Sequence, residues 1–383
     1  VLSLTGNPID LGFTAAADTA PMLLFGLAAG VFLDRRRRLG LTLVGAELVR
    51  AAAFIFIAIG AFQGWATPPM VFLIAFVVGS AAVVFDSGLQ AYMTRSLLDE
   101  DLVRVNAHIS LARTLTLSVG PLAAGILIAF AGGFALAFGI NAVTFLISAA
   151  LLASIRPIKH TTPSDHEPFL ASIRSGVSVL FADKRLKWAT LGGTFTNLVF
   201  QPLEILLVLF VATEVLGLAP GTMGDTLASH GATIGLFFAA QAAIGSVGVA
   251  FAGRVARSVP LGTMYVVGLA MLGSGFLAVA LIRNWWAVIP AGIAITGVTW
   301  VNVALVTMRQ QLAPPEQMGR VIAASRTFAW AGLPVGAAIG GILAGVVGVV
   351  PVYIFGASGV IVVAAFLTRT PLYRDSVMAG ETS

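Results

Sequence analysis

The sequence has no cysteine and few charged residues. Without cysteine, the 383-residue chain can form neither disulfide bonds nor thiolate metal sites. Charged residues make up only 10% of it, whereas they make up about a quarter of a typical soluble domain. The net charge is +5, but no basic stripe with interleaved aromatic residues occurs, which argues against nucleic-acid binding. This composition is not that of a soluble globular protein.

Apolar residues fill most of the chain instead. They make up 58% of it, and the mean hydropathy is +0.97. A helix needs about 20 predominantly apolar residues to cross a bilayer. Eleven such stretches occur, at 13–33, 40–62, 69–93, 106–130, 133–154, 188–212, 232–252, 261–282, 286–308, 320–345 and 349–368. We therefore predict an all-α, polytopic membrane protein, with the lipid bilayer as one of its partners.

A long internal repeat relates the two halves of the chain. Arg113 and Arg326 are 213 positions apart and open matching segments, each followed eight residues later by a proline. Arg95 and Arg309 repeat at a spacing of 214. A repeat of this length in apolar sequence predicts two pseudo-symmetric helical bundles, as in many secondary transporters. We expect Arg113 and Arg326 to be structural charges within their bundles.

The repeat and one long polar segment predict four parts of the chain. These are a first bundle (1–154), a cytoplasmic linker with an amphipathic helix (155–187), a second bundle (188–368) and a cytoplasmic tail (369–383). In the second half a full span precedes the loop before 232–252, whereas the first half begins directly with the equivalent loop. We therefore expect that the first of twelve spans is missing, with a natural eleven-span protein as the alternative.

Lysine and arginine are distributed unevenly between the two sides of the predicted membrane domain. Eighteen of the 22 basic residues fall in segments on one side, and only Arg283 falls on the other. Basic residues are retained on the cytoplasmic side of membrane proteins. We therefore predict that the C-terminus, Ser383, is cytoplasmic.

Charged side chains within spans carry most of the functional information, because an unpaired charge in a membrane is costly. Glu47 and Arg50 are three residues apart on one helix face and are predicted to pair. Asp86 and Arg113 lie at similar depths and are predicted to pair between helices. Asp18 lies near the outer end of span 13–33, where we expect it to be solvated.

A polar stripe crosses the otherwise apolar span 188–212. Asn197, Gln201 and Glu204 follow each other at i, i+4 and i+7, which places them on one helix face. No basic residue in this span can pair with Glu204, so its desolvation should favour the protonated form. We predict that Glu204 is a proton-coupling residue. For Asn197 and Gln201, hydrogen bonding between helices is the alternative.

Two short motifs resemble those of a known family. Gly30, Asp34 and the basic run from Arg35 to Arg38 resemble the signature loop of the major facilitator superfamily, although Arg37 and Leu39 replace an expected glycine and an expected basic residue. The segment Gly120, Pro121 and Gly125 resembles the family's antiporter motif, with Thr116 where a further glycine is expected. The resemblance covers essentially the whole chain and is nearest to bacterial drug and siderophore exporters, such as enterobactin and macrolide efflux proteins.

The resemblance implies a monomeric, multi-pass transporter of the bacterial inner membrane that works by alternating access. It implies protons and a hydrophobic or amphipathic small molecule as partners, with efflux as the direction. It also places spans 69–93, 188–212 and 286–308 around a central cavity, which adds Asp86, Gln90, Thr299 and Asn302 to the candidates. Asp34 would form a cytoplasmic latch against the start of span 320–345, or else would neutralise the arginines that follow it.

The sequence lacks the features of an ATP-driven pump or an enzyme. It shows no phosphate-binding loop, no cluster of metal ligands and no paired nucleophile and base, so we expect neither a cofactor nor a bound metal. Two alternatives to a proton-coupled exporter remain. One is a small-metabolite importer of the same fold, and the other is a sensor or scaffold that no longer transports.

Overall fold

The computed structural model describes residues 1–34, 36, 38–96, 99–130, 134–155, 169–219, 229–313 and 318–375. These residues form helices joined by short turns, and no strand occurs among them. The helices are α1 (Leu2–Thr5), α2 (Pro8–Asp34), α3 (Leu39–Gln63), α4 (Pro68–Ser96), α5 (Asp99–Phe130), α6 (Phe134–Ser154), α7 (Phe169–Ala182), α8 (Lys184–Ile205), α9 (Leu207–Phe210), α10 (Gly231–Ser258), α11 (Leu261–Ile282), α12 (Val288–Leu312), α13 (Met318–Trp330), α14 (Gly332–Val347), α15 (Val349–Leu367) and α16 (Pro371–Arg374).

Many of these helices can cross a bilayer. In the part of the chain that the structure describes, nine helical stretches are long and apolar enough to do so. The other two predicted spans, 13–33 and 106–130, coincide with helices α2 and α5, and the apolar stretch of α5 is the shorter Val119–Ile128. The prediction of an all-α, polytopic membrane protein is confirmed.

Helix α2 begins earlier than the apolar stretch within it. The side chain of Asn7 accepts a hydrogen bond from the backbone N–H of Ile9 at 2.9 Å, Pro8 opens the helix, and Asp10 lies in its first turn. All three features favour a helix N-terminus. Asp18 therefore lies ten residues, or about 15 Å, inside the helix. The expectation that Asp18 is solvated near the outer end of its span stays a prediction.

The structure divides into two compact units. Unit 1 comprises residues 1–6, 17–168 and 221–236, and unit 2 comprises residues 7–16, 169–220 and 237–383. Residues 7–16 thus belong to unit 2, although they lie within the predicted first bundle (1–154). The first residues of α10 belong to unit 1. Each unit therefore contains a short segment from the other half of the chain.

Glycines allow both of these exchanged segments to approach their neighbours at backbone distance. In unit 2, a Cβ on Gly12 would lie 2.6 Å from the carbonyl oxygen of Ala337 and 2.7 Å from Cα of Gly341. In unit 1, a Cβ on Gly235 would lie 2.6 Å from the carbonyl oxygen of Pro121, and one on Gly125 would overlap the carbonyl group of Gly231. Small residues permit this close packing of membrane helices.

The polar segment before the second half contains helix α7 and ends at a helix cap. Residues 156–168 of the predicted linker lie outside the described residues. Asp183 begins α8 by accepting hydrogen bonds from the backbone N–H groups of Arg185 at 2.7 Å and Leu186 at 3.1 Å. Burial raises the pKa of the Asp183 carboxyl, but the hydrogen bonds from Arg185 and Leu186 outweigh this effect and leave the pKa below its usual value.

We expect Asp183→Ala to lower the free energy of unfolding by about 0.5–2 kcal/mol, because two N–H groups at the start of α8 lose their acceptor. Asp183→Asn should retain most of the stability, since asparagine also caps helices. The folded-state pKa is depressed, so the benefit is present above the unfolded pKa of about 3.9 and is lost as the pH falls through the folded value. Thermal unfolding in detergent measures the stability of the wild type and of the two Asp183 variants. Asp375→Ala, at an exposed residue, is the control.

Candidate functional site

Glu204 lies where the helix of its span is interrupted. It is the next-to-last residue of α8, and the helix resumes as α9 only after Leu206. Pro202 has no N–H group to donate within the helix, which weakens this turn. Beyond α9 the chain widens into a π-helix, Val211–Val215. Irregular helix turns of this kind are frequent at functional sites.

Packing against two later helices holds this break in place. The hydroxyl group of Tyr353, on α15, donates a hydrogen bond to the carbonyl oxygen of Leu203 at 2.5 Å. A Cβ on Gly340, in α14, would overlap the ring of Pro202, so glycine lets α14 lie directly on the proline. The backbone that carries Glu204 is therefore fixed on both sides, while its side chain stays exposed.

Glu204 and the exposed apolar residue Phe195 lie on opposite faces of α8. Phe195 is 57% exposed, as expected for a side chain that meets lipid. Nine residues separate Phe195 from Glu204, which corresponds to a rotation of about 180° around the helix. Among the described residues, no side chain forms an ion pair or hydrogen bond with the Glu204 carboxylate. Acidic side chains in membrane spans face a bundle interior or a water-filled path.

Asn197, the first residue of the polar stripe on α8, binds a neighbouring helix. Asn197 donates a hydrogen bond from Nδ2 to the carbonyl oxygen of Ala329 at 2.7 Å, and Gln201 is only 7% exposed. Earlier on the same face, Thr194 donates to the carbonyl oxygen of Phe328 at 2.9 Å. The hydrogen bond between helices that was the alternative for Asn197 is present, and the placement of Asn197 in a cavity stays a prediction.

The two candidates on α12 bond within their own helix. Thr299 donates from Oγ1 to the carbonyl oxygen of Ile295 at 3.2 Å, and Asn302 donates from Nδ2 to that of Val298 at 3.0 Å. Asn302 is exposed and Thr299 is half-buried. Of the unit 2 candidates, Glu204 and Asn302 are therefore the exposed ones.

The candidates of unit 1 are only partly described. Asp86 on α4 is exposed. The side chains of Gln90 and Arg113 lie outside the described residues, and so does the predicted pair of Asp86 with Arg113. The repeat-related Arg326, in unit 2, places its guanidinium 4.6 Å from the centre of the Trp330 ring.

Glu47 and Arg50 form the ion pair that their spacing predicts. Arg50 Nη1 donates to Glu47 Oε1 at 3.0 Å, and Glu47 is 2% exposed. The guanidinium also lies over the rings of Phe85, at 5.5 Å, and Phe145, at 5.0 Å.

The two motifs are described unequally. In the signature loop, the side chain of Asp34 and the whole of Arg35 lie outside the described residues, and Gly30 is known only as part of α2. Arg38 is exposed. In the antiporter-type motif, Pro121 lies within α5. A Cβ on Gly120 would meet only Thr116, at an ordinary 3.8 Å, whereas Gly125 is the close-contact residue of the motif.

Metal binding finds no support in the described part of the chain. No group of three or more histidine or acidic side chains is close enough there to hold a metal ion. The candidates that lie within apolar helical stretches include Asp86 and the Glu47–Arg50 pair in unit 1 and Glu204 in unit 2.

A family profile described as Major Facilitator Superfamily matches residues 2–224, which is more than half of the chain. The chain belongs to the Major Facilitator Superfamily. The resemblance drawn from the signature loop is therefore confirmed, and the chain is a member of a family of membrane transporters.

Two relatives of this superfamily member cover most of its length. An uncharacterised transporter of the superfamily, y4rN of Sinorhizobium fredii, is 25% identical over 346 residues, which are 89% of this chain and 82% of that protein. Macrolide efflux protein A of Streptococcus pyogenes is 23% identical over 357 residues, which are 90% of this chain and 83% of that protein.

Solved structures show the same fold. A mutant of the nucleoside transporter NupG matches with a TM-score of 0.72 at 13% identity, covering 96% of this chain and 94% of that one. An inward-facing, unoccupied bacterial homologue of the human lysosomal transporter Spinster matches with a TM-score of 0.63 at 15% identity, covering 96% and 93%. At such identities the likeness establishes the fold alone, and the predicted major facilitator fold is confirmed.

Proposed function

We propose that this protein is a secondary active exporter that exchanges protons for hydrophobic or amphipathic small molecules by alternating access. The observation that carries the proposal is Glu204, an exposed carboxylate within a span, turned about 180° from the exposed Phe195. A carboxylate in this setting is either charged and wet or protonated and neutral. It can therefore carry one proton per cycle.

The exchange follows from competition at one site. When the site opens towards the side with more protons, the Glu204 carboxylate takes up a proton, which forms its O–H bond, and the substrate leaves. When the site opens to the other side, the acid releases the proton to water as substrate binds again. Uptake and release on opposite sides couple the two movements.

A relative and a sequence motif support the proposed substrate class and direction of transport. Macrolides are large molecules with both apolar and polar faces, so the macrolide efflux relative supports an amphipathic substrate. The same relative and the antiporter-type motif at Gly120, Pro121 and Gly125 support export. An importer is the second candidate, because a nucleoside transporter shares the fold.

The expected result is that proteoliposomes containing the full chain accumulate radiolabelled erythromycin, a macrolide, when a pH gradient is imposed with the lumen acidic. A protonophore should abolish the accumulation, because it removes the gradient. In growing cells, expression should lower the steady-state level of the same compound. A raised cellular level would identify an importer, and an unchanged level together with no accumulation in proteoliposomes would identify a scaffold.

The orientation and environment of the transporter are part of the proposal. We place it as a monomer in the bacterial inner membrane with Ser383 in the cytoplasm, because eighteen basic residues lie on one side of the predicted spans. A C-terminal fluorescent protein that matures only in the cytoplasm tests this placement, and an active periplasmic phosphatase at the same position would contradict it.

A further inference from the structure

Tyr353 is fully buried in unit 2 and contacts both sides of the helix break that follows Glu204. Its hydroxyl group donates a hydrogen bond to the carbonyl oxygen of Leu203, before the break, at 2.5 Å. The centre of its ring lies 4.6 Å from that of Phe210, after the break, and 5.9 Å from that of Phe276 on α11. One side chain from α15 therefore joins the end of α8 to α9.

The carbonyl oxygen of Leu203 lacks its usual helical donor. The last backbone hydrogen bond of α8 runs from the N–H of Leu206 to the carbonyl oxygen of Pro202 at 3.1 Å, and α9 begins only at the next residue. Within this described stretch, the bond that Leu207 would donate to Leu203 in a continuous α-helix is therefore not formed. A carbonyl group without a donor is costly inside a membrane. The Tyr353 hydroxyl group supplies the missing donor.

Glu204 is exposed although its neighbours on the same helix face are buried. Side chains three and four positions apart on a helix lie next to one another. Phe200 and Gln201, on the turn before Glu204, are 8% and 7% exposed, and Leu207, on the turn after it, is 2% exposed. In a continuous helix Leu207 and Val208 would lean back over Glu204, because helical side chains point towards the N-terminus. The exposure of Glu204 therefore depends on the interruption.

We infer that Tyr353 is a positioning residue for Glu204: its hydroxyl group holds the Leu203 carbonyl in the interrupted conformation and so keeps the Glu204 carboxyl group accessible. Without this hydroxyl group, the Leu203 carbonyl would accept its hydrogen bond from Leu207, and the helix would continue. The inference rests on the proposed function only for its consequence in transport, because the accessibility of position 204 can be measured by itself.

The absence of cysteine from the chain allows a single thiol to be placed at position 204. The full chain carrying Glu204→Cys, in lipid vesicles, is treated with a water-soluble maleimide, and the rate of modification is measured. Adding Tyr353→Phe should lower this rate at least about fivefold, since one hydrogen bond biases a conformational equilibrium by about this factor. The ring that contacts Phe210 and Phe276 is retained in this variant.

Tyr265→Phe is the matched control. Tyr265, on α11, is also fully buried, and its hydroxyl group also donates to a carbonyl oxygen of α8, that of Ala189, at 2.9 Å. Ala189 lies fifteen residues before Glu204, which is about 22 Å along a helix. Tyr265→Phe should therefore cost a similar amount of thermal stability but leave the modification rate at position 204 unchanged.

Restoring a donor at the same place separates the hydrogen bond from general packing. Replacing Tyr353 by para-aminophenylalanine, which keeps a donor at the same ring position, should restore the modification rate. An unchanged rate with Tyr353→Phe, or an equal fall with Tyr265→Phe, would overturn the inference. A thiol at position 204 that does not react even with Tyr353 intact would also overturn it, because the inference requires an accessible position.

Transport by the chain with Glu204 intact shows whether the inference and the proposed function fail separately. Tyr353→Phe should lower the accumulation driven by a pH gradient, because fewer molecules present an accessible Glu204. A lowered modification rate together with wild-type accumulation would support Tyr353 as a positioning residue and count against Glu204 as the coupling acid.

Discussion

Glu204→Gln is expected to abolish substrate accumulation driven by a pH gradient while leaving substrate exchange measurable. Glutamine has nearly the shape of the protonated acid but cannot release a proton. The variant can neither take up nor release a proton at this position, so a pH gradient no longer drives substrate movement. Exchange of labelled for unlabelled erythromycin across the membrane needs only the substrate-loaded transporter to change sides. We expect this exchange to remain measurable.

Matched variants separate loss of the proton from loss of structure. Glu214→Gln makes the same chemical change in the same span, at a residue that pairs with Arg283 at 3.9 Å near its end. This variant should transport normally, because a surface ion pair contributes only about 0–1 kcal/mol. Glu204→Asp should keep part of the gradient-driven activity. Full gradient-driven accumulation by Glu204→Gln would show that the coupling acid lies elsewhere, with Asp86 next to be tested.

Alanine at Gly12 or at Gly125 is expected to destabilise the protein and to reduce transport severely. A methyl group on Gly12 would lie 2.6 Å from a backbone oxygen, and one on Gly125 would overlap the carbonyl group of Gly231. Because both obstacles are backbone atoms, no side-chain rotation relieves the clash, and the helices must move apart. Overpacking of this kind costs about 1–3 kcal/mol. Thermal unfolding of the purified variants measures the loss.

Glycines with free space around them provide the controls. Gly45 on α3 and Gly139 on α6 would each accept a Cβ with no atom within 4 Å. Alanine at these positions should stabilise its helix by about 0.5–1 kcal/mol, because alanine loses less backbone freedom on folding. Gly341 packs against Gly12, so Gly341→Ala separates the same two helices as Gly12→Ala. The double variant should therefore lose less stability than the sum of the losses of the two single variants. Equal stability of all the single variants would mean that these crossings do not limit packing.

Local sequence determined the elements of the fold. The length of the apolar runs predicted the spanning helices, since a helix in lipid must satisfy its own backbone hydrogen bonds over the full thickness of the bilayer. The pairing of Glu47 with Arg50 was also predictable, because residues three apart on a helix are neighbours whatever surrounds them. The start of α2 at Pro8 was encoded locally too, by Asn7 and Asp10, and the helix begins five residues before the apolar stretch 13–33.

Only the tertiary structure decided which helix faces meet. The spacing of Asn197, Gln201 and Glu204 gave one stripe, yet Asn197 bonds to Ala329 while Glu204 stays exposed. Membrane helices are apolar on nearly all sides, so hydrophobic periodicity does not select one face for the interior. The choice is made by close packing at a few glycines and by hydrogen bonds between helices, and both depend on a partner that local sequence does not specify.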